Sequence, residues 1–115
     1  MTTFTLYHNP RCSKSRATLA LLEQHGIAPR IVDYLQTPPT TAELERIVAM
    51  LGITPEQLVR KGEAVFAREY EGKDLSAAQW LEAMVRHPIL IERPIVVTNE
   101  RAVLGRPPEN VLALL

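Results

Sequence analysis

A single cysteine stands in a chain of 115 residues, so no internal disulfide can form. No Cys/His cluster or His-x-x-x-His spacing accompanies it, which argues against a metal site. An excess charge of one sign is also missing: thirteen Lys and Arg balance thirteen Asp and Glu, leaving no global field to draw in nucleic acid or an anionic membrane. One tryptophan, three tyrosines and two phenylalanines offer little surface for base stacking. No apolar run approaches the ~20 residues that a bilayer-spanning helix needs, and the first residues show no charged, apolar and small-residue signal pattern. These absences lead us to expect a reducing, cytoplasmic setting with no nucleic-acid or membrane partner, and any anion site must be built locally. There is no repeat or low-complexity tract, and we expect one domain over residues 1–115.

What is present reads as an α/β pattern. Thr3 to Tyr7 alternates like a strand, and Ser13 to His25 carries Ala17, Leu19, Ala20, Leu21 and Leu22 as a helix that Gly26 stops. Arg30 to Tyr34 is a second strand, so the three elements form a βαβ unit with parallel strands. Pro38-Pro39 breaks the chain, and Thr41 is placed to cap a helix through Leu44, Ile47, Val48 and Leu51. Thr54-Pro55-Glu56-Gln57 and Ser76-Ala77-Ala78-Gln79 each have capping-box spacing, the second ahead of a helix holding Trp80, Leu81, Met84 and Val85. Ile95–Thr98 and Arg101–Gly105 flank Asn99-Glu100 with the spacing of a tight hairpin, and a last helix starts near Pro107-Pro108. A hairpin added to a βαβ unit is the thioredoxin-like (glutaredoxin-like) plan, here with a helical insertion over about 35–87.

Cys12 lies between the first strand and the first helix, in His8-Asn9-Pro10-Arg11-Cys12-Ser13-Lys14-Ser15-Arg16. Outward N–H groups at a helix start and three nearby cations favour the ionised sulfur, which is the form that acts as a nucleophile. Ser15 has a hydroxyl that can donate to the Cys12 sulfur or to an anion bound at the helix start. Arg60, Arg93 and Arg106 each stand at the end of a predicted element. Each alone suits a solvated surface; together beside a thiolate, their forked donors match a phosphate-like oxyanion. Pro94, at the start of a strand, is a candidate for a cis bond. His25 and His87, near helix C-termini, suit structural roles. Position 15 of Cys12-x-x-Ser15 is serine where a dithiol site has its second cysteine, so an outside thiol must complete any redox cycle.

These residues give the whole chain a close resemblance to the glutaredoxin-dependent arsenate reductases of the ArsC family. The resemblance rests on His8-Asn9-Pro10-Arg11-Cys12, Leu58-Val59-Arg60, Arg93-Pro94-Ile95-Val96 and Gly105-Arg106-Pro107-Pro108-Glu109, in that order and spacing. It implies that Cys12 attacks arsenate, that Arg60, Arg93 and Arg106 hold the oxyanion, that His8 helps keep Cys12 ionised, and that Pro94 is cis. It further implies glutathione as co-substrate with no bound cofactor, glutaredoxin as partner, and a role in arsenic detoxification. The run Cys12-Ser13-Lys14-Ser15-Arg16-Ala17 differs from the Cys-Gly-Thr-Ser-Arg-Asn of the resistance-operon branch and resembles a chromosomal Cys-Ser-Lys-Ser branch. Two alternatives use the same features: a glutathione-linked thiol reductase acting on other substrates, and a regulatory binding module like the Spx proteins, which resemble this chain in fold but usually keep a Cys-x-x-Cys switch.

Overall fold

The computed structural model describes residues 2–115, and its elements follow from the pattern of the chain. Strand β1 (Thr5–His8) leads to helix α1 (Ser13–Gln24), then strand β2 (Arg30–Asp33), helices α2 (Thr41–Leu51), α3 (Ala64–Glu69) and α4 (Ala77–Arg86), and strands β3 (Ile95–Val97) and β4 (Ala102–Leu104). The four strands form one sheet in the order β2-β1-β3-β4. β1 runs parallel to β2, with His8 beside Asp33, and antiparallel to β3, with Tyr7 beside Ile95. β3 and β4 pair antiparallel from Ile95↔Leu104 to Val97↔Ala102. This is the thioredoxin-like arrangement.

The chain divides into two compact units, residues 1–37 with 93–115, and residues 38–92. In the first, Leu6 of β1, Leu22 of α1, Val96 of β3 and Val111 form a fully buried apolar cluster. Two close approaches fix how β3 and β4 begin and end beside α1. The Gly105 amide donates to the Pro94 carbonyl at 2.9 Å. A Cβ on Gly105 would lie 2.6 Å from Thr18 Oγ1 and 2.8 Å from Pro94 Cγ, so only glycine fits there. The Arg93–Pro94 bond is cis, as is Arg106–Pro107.

In the second unit, α2 is opened by a capping box between Thr40 and Glu43 and closed by Gly52 in the left-handed region at φ 70°. The cap is therefore Thr40, one residue before the expected Thr41, because the Thr40 hydroxyl accepts from the Glu43 amide at 3.1 Å. The Ser76–Gln79 box opens α4 as its spacing implies. The Thr54–Gln57 box also forms, with Gln57 N–H donating to Thr54 Oγ1 at 3.3 Å, but it starts only a 3-10 turn over Glu56–Leu58. Beyond that turn the backbone extends: Val59 bridges Ile91, the Arg60 amide donates to the Leu90 carbonyl at 2.7 Å and the Glu92 amide to Leu58 at 2.9 Å. Phe66 of α3 stacks on Trp80 of α4 with ring centres 6.1 Å apart. The final segment, Pro108–Leu114, is a 3-10 helix, not the expected α-helix; it buries Val111. Among the described residues no helix is long and apolar enough to cross a membrane.

Candidate functional site

Cys12 is half-buried at the N-cap of α1, with φ −92° and ψ 123°, where serine, threonine or aspartate would usually supply an oxygen. No side-chain bond of capping geometry is made at this position, and α1 has no acidic residue in its first turn. The free amides at the helix start are thus left facing the sulfur. Burial raises the Cys12 thiol, but the N–H groups of Ser15 and Lys14 and the charge and donor of Arg93 favour the ionised sulfur more strongly, and its pKa lies below the ordinary thiol value. The loop that carries it is folded tightly: Cys12 N–H donates to the Asn9 carbonyl and Arg11 N–H to Asn9 Oδ1, both at 3.0 Å.

Arg93 ends the segment entering β3, and its Nε and Nη1 are buried with no hydrogen-bond partner. Buried guanidinium donors without a protein acceptor are costly unless a ligand takes them. Their position beside a forming thiolate makes an anion the natural ligand. Arg106 is exposed and follows Gly105, whose amide donates to the Pro94 carbonyl. Arg60 belongs to the second unit, where its guanidinium pairs with Glu63 at 2.8 Å and Glu92 at 3.6 Å. Arg93 is thus an arginine whose charge and donor act on the Cys12 sulfur.

His8 and Ser15 lie behind the sulfur. Ser15 is fully buried on α1, and its hydroxyl shares a 2.6 Å bond with His8 Nδ1 while accepting the Asn9 amide at 3.0 Å. The Ser15 hydroxyl is thus engaged by His8 and Asn9 and not by the sulfur; the backbone amide of Ser15 is what reaches Cys12. His8 is buried, and that burial, opposed by the Asp33 carboxylate and aided by Arg16, holds its pKa below the ordinary histidine value. The same burial favours its neutral form over a cation beside Cys12. Its contact runs through Ser15 to the loop and helix start that aim the amides.

Sequence reasoning overlooked Tyr34. It is only 1 % exposed, and burial pushes its hydroxyl up to about 12 although the Arg93 charge and a bond to the Asn9 side chain pull the other way; the Cys12 thiolate adds to the rise. Its neighbours place it against the same loop and guanidinium. Nothing in its spacing from Cys12 announces this, because the contact is made across strands β1 and β2. His25 Nδ1–H donates to the Leu21 carbonyl at 3.0 Å, and His87 caps α4, 3.5 Å from Glu69 and edge-on to Tyr70. Among the described residues there is no cluster of His, Cys, Asp and Glu able to hold a metal ion.

The sequence matches the ArsC family over residues 7–114. It is 48% identical over 112 residues to an arsenate reductase of Haemophilus influenzae, covering 96% of this chain and 97% of that protein. It is 46% identical over 114 residues to an arsenate reductase of Rhizobium meliloti, covering 98% and 81%. The fold superposes on the arsenate reductase from Vibrio cholerae with a TM-score of 0.94 at 47% identity, over 99% of this chain and 98% of that one.

Proposed function

The chain belongs to the ArsC family, and from that premise we propose that it reduces arsenate to arsenite at Cys12, with electrons supplied by glutathione and glutaredoxin. The observation that carries this reading is the pairing of a stabilised thiolate with unpartnered buried donors: Arg93 acts on the Cys12 sulfur while its Nε and Nη1 have no hydrogen-bond partner. A tetrahedral oxyanion accepts from such a fork and from helix-start amides at once, which sets its central atom against the nucleophile.

The steps balance with one cysteine. The Cys12 thiolate attacks arsenic, and an arsenate hydroxyl takes a proton from solvent and leaves as water, giving a Cys12–S–As(V) bond. Glutathione thiolate then attacks the Cys12 sulfur; the S–As electron pair departs with arsenic, which leaves as arsenite, and a Cys12–glutathione disulfide remains. Glutaredoxin thiolate takes the glutathione and returns the Cys12 thiolate. Glutathione is thus a co-substrate, and no step calls on a bound cofactor.

Within this scheme Arg93 is the principal oxyanion ligand. Arg106 is assigned beside it on the Gly105–Pro94 contact, and Arg60 on the Leu58-Val59-Arg60 motif. His8 and Ser15 are positioning residues for the amides at the start of α1. The test is arsenate-dependent NADPH oxidation with glutathione, glutaredoxin and glutathione reductase. Turnover that needs all three supports the assignment, and NADPH oxidation independent of arsenate would move it to a general thiol reductase.

A further inference from the structure

Beside the active loop lies a cavity of about 330 Å³ lined by Asn9, Pro10, Arg11, Asp33, Leu35 and Gln36, all in the first unit. Its two charged groups have opposite sign. Arg11 is exposed, and among the described residues neither it nor Asp33 forms an ion pair. Asp33 Oδ1 is buried with no hydrogen-bond partner. Asp33 is half-buried and lines the cavity, and an ammonium group is the ligand that suits its carboxylate. Arg11 offers the complementary fork for a carboxylate, and the Asn9 and Gln36 side chains add neutral donors and acceptors.

The cavity is also tied to the nucleophile. Arg11 precedes Cys12 in the chain, the Cys12 amide donates to the Asn9 carbonyl at 3.0 Å, and Tyr34, between Asp33 and Leu35, senses the Cys12 charge. The geometry points to this cavity as the subsite for the α-amino-acid end of the attacking thiol: Asp33 takes its ammonium and Arg11 its carboxylate. This inference rests on the reading of Cys12 as a thiolate that exchanges with an outside thiol. A γ-glutamyl-cysteinyl peptide suits it, because its zwitterionic end lies roughly 7–10 Å from its sulfur at the ~3.3–3.6 Å per residue of an extended chain. A small uncharged thiol would leave both charges unmatched.

The test needs no arsenate. Cys12 thiolate attacks one sulfur of a disulfide, a Cys12 mixed disulfide forms, and the other half departs as thiolate. The rate is measured on the full chain with glutathione disulfide and with 2-hydroxyethyl disulfide, and their ratio cancels any change in the nucleophile. Wild type should favour glutathione disulfide, with saturation, and Arg11→Ala and Asp33→Asn should each lower the ratio by about threefold, as expected for half-exposed charge pairs. The disulfide of deaminated glutathione, used on wild type, should show the same loss, independent of any effect of Asp33→Asn on folding. Ratios unchanged in both variants, or a deaminated disulfide that reacts as fast as the natural one, would overturn the subsite. Wild-type Cys12 inert to every disulfide would instead overturn the outside-thiol reading, and the subsite with it.

Discussion

Replacing Arg93 with alanine should separate function from stability. Two of its nitrogens, Nε and Nη1, are buried without an acceptor. Each charge-assisted bond they would give an oxyanion is worth about 1.5–3 kcal/mol. Allowing for non-additivity, a loss of about 3 kcal/mol corresponds to roughly a hundredfold weaker binding of arsenate or sulfate, at 1.4 kcal/mol per factor of ten. Folding should not suffer in proportion. Unsatisfied buried donors cost about 1–3 kcal/mol each, so their removal offsets the packing lost with the side-chain stem, and the melting temperature without anion should hold or rise. Arsenate at a hundred times the wild-type Kd should stabilise wild type by about 2.7 kcal/mol, and the variant, at its own weakened Kd, by only about 0.4 kcal/mol. Calorimetric titration gives the affinities and thermal melts with and without arsenate give the stabilities. Arg93→Lys should recover only part of the binding, since a point charge does not reproduce the fork. An alanine variant that binds the anion within threefold of wild type, or that melts lower with its affinity intact, would refute the reasoning.

Cys12→Ser should abolish turnover with the fold retained, as read by activity and circular dichroism, because a serine hydroxyl is not ionised near neutral pH. Iodoacetamide labelling of wild-type Cys12 should stay fast below the ordinary thiol range, and Arg93→Ala should shift its titration upward, since the guanidinium is one of the groups that lower it. The lowered Cys12 pKa also sets a sign for stability: between the folded and unfolded values the unfolded chain holds the proton, so stability rises with pH there and is lost as pH falls through the folded value. Melts of wild type against Cys12→Ser across that window should show this slope in wild type alone. Ser15→Ala should lower stability by about 1–3 kcal/mol, because it removes the buried partner of His8 and Asn9, yet leave the labelling pKa nearly unchanged, since the amide at position 15 survives. Gly105→Ala should cost about 1–3 kcal/mol in a urea melt, as its Cβ would meet Thr18 Oγ1 and Pro94 Cγ well inside contact distance.

The strands and the helix after Cys12 were legible because alternation, apolar spacing and glycine stops are local signals, and the hairpin because Thr98 and Arg101 close it by backbone bonds across two residues, with Thr98 N–H donating to Arg101 O at 2.7 Å. Elements that depend on tertiary contact were not legible. No capping or spacing signal marks Ala64–Glu69, which becomes α3 through Phe66 and Val65, since these find Trp80 and a buried setting only after folding. The Thr54 box was read correctly as a cap, but a cap cannot extend a helix: after Leu58 the backbone is taken up by the bridge to Ile91. Pro108–Leu114 is 3-10 where an α-helix was expected, while Val111 still reaches the core. At the site, the motif located Cys12 and Arg93, and helix-terminus physics located the amides. The division of labour within Ser15, hydroxyl inward and amide toward sulfur, follows from which face of α1 is buried, which tertiary packing decides. Tyr34 is invisible for the same reason.

The most direct measurement is intact-mass and peptide analysis of the protein after incubation with arsenate and glutathione in the absence of glutaredoxin. Chemistry at a single cysteine requires arsenite to appear in step with protein heavier by one glutathione, located on the peptide that contains Cys12, and requires glutaredoxin to remove that adduct and restart turnover. Arsenite formed without glutathione, or formed with no adduct on Cys12, would contradict it.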